Sequence, residues 1–90
     1  MWRKLRDAYH NQRGLCAYSN LPIRIGVDAE IDHTVPKSRS LKAPQEMTIA
    51  DVRWVHSKVN RMKGDLHLTE WLGLCLIVLA HFGYKVTKED

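Results

Sequence analysis

Glu30-Ile31-Asp32-His33-Thr34-Val35-Pro36 is followed by Asp51-Val52-Arg53-Trp54-Val55-His56-Ser57-Lys58-Val59-Asn60-Arg61-Met62-Lys63-Gly64-Asp65, and the fold is decided by how these two stretches are read. Residues 27–35 alternate with period two. Val27, Ala29, Ile31, His33 and Val35 share one face, and Asp28, Glu30, Asp32 and Thr34 the other. That is a strand, and Pro36 stops it because proline has no N–H to give a ladder. Residues 37–48 are polar and irregular and read as a loop. Residues 52–55 form a second short strand, and residues 57–63 a short helix with Ser57 as N-cap and Gly64 as its stop.

Outward from this centre, residues 2–12 place Trp2, Leu5, Ala8 and Tyr9 at helical spacing between Arg3, Lys4, Arg6 and Asp7. This is an amphipathic helix with a basic outer face, ended by Gly14. Residues 15–25 read as a hairpin or knuckle around Ser19-Asn20-Leu21-Pro22. Thr69 caps a final helix over residues 70–82, with Gly83 after it. That helix is apolar nearly all round, which suits either a core helix or a homodimer contact through residues 70–82.

The bulk numbers bound the function. Ninety residues suit one domain, with the site within residues 28–65. A net charge of +4 favours polyanionic partners, nucleic acid among them. Cys16 and Cys75 make neither a disulfide framework nor a four-ligand zinc site. No signal peptide is read at the start, and the apolar run over 71–80 is about half of what spans a bilayer. A cytoplasmic protein with no membrane partner is the expectation.

The chemistry follows from what phosphodiester hydrolysis requires. A water must lose a proton near neutral pH, which suits histidine. Charge on the phosphate must be stabilised, which suits a hard divalent cation on oxygen ligands. An Asp-His pair at a strand end and an Asn on a following helix supply both. Taken singly, His33 is an ordinary strand histidine and Asn60 a helix-end residue; it is their register with Asp32 that points to a site.

Asp-His-x-x-Pro at 32–36, a polar residue at 51, and Asn-Arg-x-Lys-Gly at 60–64 together resemble the HNH (ββα-metal) endonucleases. These include phage and homing enzymes and the nuclease domain of RNA-guided CRISPR nucleases. The likeness extends to the knuckle at 15–22 and the helix before it. The resemblance implies a small α+β fold, with a hairpin and a packed helix holding the site between an N-terminal and a C-terminal helix. It implies that Asp32 and Asn60 bind one Mg²⁺ or Mn²⁺, that His33 is the general base, and that Asp51 stands where an Asn usually orients that base. Water attack would leave a 5′-phosphate and a 3′-hydroxyl, with nicking the expected outcome of one site. Lys37, Arg39, Arg61 and Lys63 would bind the backbone of nucleic acid, DNA in the first instance.

The chain departs from the family pattern in three places. Where the knuckle has two Cys-x-x-Cys pairs, this chain has Cys16…Ser19 and His56…Val59, so a structural zinc is not expected. Packing by Tyr18, Leu21, Trp54 and Val55 would replace it. Asp51 brings a negative charge near a phosphate. Neighbours on an ideal strand face opposite ways, so Asp32 and His33 share a site only if the strand twists or breaks there. A nucleic-acid-binding module of the same fold without the chemistry is the alternative. An interaction protein built on the apolar C-terminal helix is another.

Overall fold

The computed structural model describes residues 2–33 and 49–88, and within them the chain is a small α+β fold of three helices and a two-stranded antiparallel sheet. The elements run α1 (Trp2–Asn11), β1 (Ala29–His33), a single 3₁₀ turn (Ile49–Asp51), β2 (Val52–His56), α2 (Ser57–Lys63) and α3 (Leu68–His81). The predicted loop over 37–48 lies outside the described residues.

α1 docks through its sparse apolar stripe. Leu5, Ala8 and Tyr9 pack on a core of Cys16, Ile23, Trp54, Val55 and Val59. Polar groups fix its position. The Trp54 indole N–H donates to the Leu5 carbonyl at 2.7 Å, and the Tyr9 hydroxyl donates to the Ile23 carbonyl at 2.6 Å. Just past the helix, the Gln12 side-chain amide donates to the carbonyls of Leu15 and Trp54 and accepts from the Trp54 N–H. Gly14 then turns the chain at φ +67°, where a Cβ would also stand 3.1 Å from the Tyr9 hydroxyl oxygen. Both the left-handed conformation and the close approach call for glycine.

Residues 15–23 close on themselves through backbone bonds, as a hairpin or knuckle would. The Cys16 N–H donates to the Leu21 carbonyl, the Asn20 N–H donates to the Cys16 carbonyl, and Leu15 bridges Pro22. Cys16 and Val59 both lie in the apolar core. Trp54 and Val55 fill this region as expected, and Tyr18 packs against it. Leu21 does not: it is 48% exposed, and Ile23 is the buried residue instead.

β1 is shorter than its alternation suggests, because a turn takes its first residues. The Arg24 carbonyl accepts from the N–H groups of Val27, Asp28 and Ala29, while the Asp28 carboxylate accepts from the Arg24 N–H. Val27 is left 74% exposed. β1 pairs with β2 from Ala29 opposite His56 to His33 opposite Val52. Ala29 and Ile31 pack toward the core, as their apolar character predicts. The polar face, with Glu30 and Asp32, meets α2.

Both predicted caps shift by one or two residues. α2 is capped by His56, whose Nδ1 accepts from the Lys58 N–H at 3.1 Å, and not by Ser57. α3 begins at Leu68 with His67 as its cap, because the Glu70 carboxylate reaches back to the His67 N–H at 3.0 Å. Thr69 therefore lies inside the first turn. Gly64, at φ +55°, ends α2 as expected.

Candidate functional site

Four polar side chains meet between the polar face of β1 and α2. Glu30 and Asp32 stand two residues apart on one side of the strand, and Asn60 and Lys63 stand three apart on one side of the helix. The Asn60 Nδ2 donates to Glu30 Oε1 at 2.9 Å. The Lys63 ammonium lies 3.2 Å from Asp32 Oδ1 and 3.1 Å from Oδ2, with its side chain 0% and that of Asp32 8% exposed. It also lies 3.5 Å from the His33 carbonyl oxygen.

A fifth group comes from the knuckle. The Tyr18 hydroxyl donates to Asp32 Oδ2 at 2.7 Å. Burial, and then the adjoining Asp32 carboxylate, raise the Tyr18 phenol far above its ordinary range. It is held as a donor, because an ionised phenolate there would lose its solvation and face a carboxylate. The Tyr18 ring sits 5.9 Å from that of Trp71, which ties the first turn of α3 to the same spot.

Asp32 and Asn60 are thus on facing elements, as expected, but each is turned to its own partner. The pleat runs unbroken through His33, which pairs with Val52, so alternation sends Asp32 toward α2 and His33 to the opposite face. The twist or break that would bring the two side chains together is not found within β1. Asp51, half-buried, immediately precedes Val52 and therefore stands at the same end of the hairpin as His33. Arg61 is exposed, as a phosphate contact requires. Lys63, expected to contact the backbone of nucleic acid, is buried against Asp32. Lys37 and Arg39 lie outside the described residues.

Sequence reasoning missed Glu30 and Tyr18. Glu30 carries a usable signal, being two residues before Asp32 on the same strand face. Tyr18 carries none, since only the folded knuckle brings it to Asp32. His56 is occupied in capping α2 through Nδ1, with its Nε2 also 3.6 Å from Asp28 Oδ2. Cys16 is affected most by burial, which raises its pKa; hydrogen bonds from Ser19 and from the backbone at His56, Tyr18 and Ser19 outweigh that and leave the thiol below its ordinary value.

The donors near Asp32 are two carboxylates and an amide, the oxygen set that suits a hard cation such as Mg²⁺ or Mn²⁺ better than Zn²⁺. The residues fit such an ion in kind, although Lys63 already neutralises Asp32. Among the described residues, no three His, Cys, Asp or Glu side chains gather into a metal-binding group. Among them, too, no helix is long and apolar enough to cross a membrane. No model of a known protein family matches the chain. No curated protein matches it either.

Proposed function

We propose that this chain is a small endonuclease of the HNH type, which hydrolyses phosphodiester bonds of nucleic acid, DNA in the first instance. One observation carries the reading. A β-hairpin runs directly into a helix, with Asp32 and His33 ending the first strand and the Asn60 helix laid against the Asp32 side. In this reading Asp32 and Asn60 would hold Mg²⁺ or Mn²⁺, which when bound supplies charge stabilisation at the phosphate. His33 would accept the proton of the attacking water, a task the unperturbed pKa of histidine suits, with the end of the strand turning its ring to the Asp32 side. Asp51, at the same end of the hairpin, orients the imidazole. Arg61, with the chain's net charge of +4, holds the backbone without reading bases.

Supercoiled plasmid incubated with Mg²⁺, Mn²⁺ or EDTA tests this. Nicking is expected with either metal, none with EDTA, and a loss of about a hundredfold or more in His33→Ala, the scale of a general base. Folded wild type that cuts nothing with any metal would end the reading.

A second reading has its own support. Both Asp32 oxygens are engaged and His33 faces away from Asp32, as in a nucleic-acid-binding module that lacks the chemistry. Such a module would retain DNA binding that weakens steeply with salt while cutting nothing.

The proposal includes a homodimer through residues 70–82. From Leu72 to Phe82, seven large apolar side chains are between 37% and 72% exposed. Pairing would bring two nicking sites into one particle.

A further inference from the structure

We propose that the Lys63 ammonium is the resident counter-ion of Asp32, and that a divalent cation reaches Asp32 by displacing it. This rests on the metal-dependent reading above and concerns how that site is controlled. The pair is buried, with side chains 0% and 8% exposed, and the ammonium spans both carboxylate oxygens at 3.1 and 3.2 Å. A buried ion pair is a poor device for stability alone, because desolvating two charges offsets most of their attraction. Lys63 has what an exchange requires. It is the last residue of α2, its stem has four rotatable carbons, and Gly64 ends the helix right after it.

The two cations exclude one another. A Mg²⁺ ion binds a carboxylate oxygen at about 2.1 Å, within the shell that the ammonium fills on the same two atoms. Like charges that close, in a space shielded from water, repel strongly. What an incoming ion would find is already in place. Asn60 lies one turn before Lys63 on the same side of α2, with Glu30 bonded to it. The Tyr18 hydroxyl, bonded to Oδ2, keeps the carboxylate oriented once Lys63 leaves.

The test is Mn²⁺ binding without substrate, followed by isothermal titration calorimetry on wild type and Lys63→Met. Removing the competitor should tighten Mn²⁺ by about tenfold or more, the scale on which groups around a metal's ligands move affinity. Equal affinity in the two proteins overturns the exchange and leaves the nuclease reading standing. No Mn²⁺ binding by either protein overturns both. A second measurement needs no variant. In ¹⁵N-lysine-labelled wild type, the buried Lys63 ammonium should give a protected signal that disappears as Mg²⁺ is added. Persistence of that signal at saturating Mg²⁺ overturns the exchange, whatever Lys63→Met does to folding.

Discussion

α1 and α3 are the first and last helices among the described residues, and the less hydrophobic of the two is the better docked. α1 is mostly charged and polar, yet Leu5, Ala8 and Tyr9 reach the core and its backbone receives the Trp54 indole. α3 carries ten apolar residues or glycine in an unbroken run over 71–80, yet it meets the core through Trp71 and leaves most of its length exposed. Apolar content sets how much a helix gains from burial. What decides whether it is buried in its own chain is a complementary surface with groups that fix the register. α1 has that surface in residues 15–23 and β2, and among the described residues α3 meets the core with Trp71, beside the ring of Tyr18.

The largest effect should come from removing the anchor on the α1 side. Trp54→Ala should cost about 3–5 kcal/mol, through both the cavity and the lost hydrogen bond to Leu5, and urea unfolding would measure it. Since domains of this kind hold only about 5–15 kcal/mol in all, a loss under 1 kcal/mol would mean that α1 is not docked as described. Gln12→Ala should cost less, about 1–3 kcal/mol, by leaving the Trp54 N–H and the Leu15 carbonyl without a side-chain partner. Hydrogen exchange at the end of α1 should rise with it. On the other side, Ile77→Glu should change unfolding of the body by no more than about 0.5 kcal/mol at protein concentrations too low for pairing, as surface substitutions do. At higher concentration the same change should shift sedimentation from the proposed dimer to monomer. A large loss of stability in Ile77→Glu would instead place α3 inside a monomer core.

This contrast also marks what could be read in advance. The hairpin, α2 and α1 follow from residue spacing, because period two and period 3.6 are properties of neighbours along the chain. The caps slipped by one or two residues, since a histidine can do what Ser57 or Thr69 does whenever its ring nitrogen or its neighbour's carboxylate reaches the right N–H. Lys63 was legible only as a basic residue in Asn-Arg-x-Lys-Gly, and so as a surface phosphate contact. Its burial depends on Asp32, 31 positions earlier, and on Tyr18, 14 positions before that. Those long-range meetings leave no mark in the local pattern. The choice between core helix and contact surface for α3 was likewise open, because an all-apolar circumference records the need for cover and not its source.

The clasp by Gln12 has a consequence beyond joining two elements. A two-stranded sheet has outer rims whose backbone groups invite another chain to pair with them. At Trp54 that invitation is withdrawn. The primary amide of Gln12 is a peptide group in miniature, offering one donor to the Trp54 carbonyl and one acceptor to its N–H, with the Ala17 N–H sharing the same carbonyl. The side chain thus acts as a strand one residue long, and the β2 rim is closed to templated aggregation at the middle of its length.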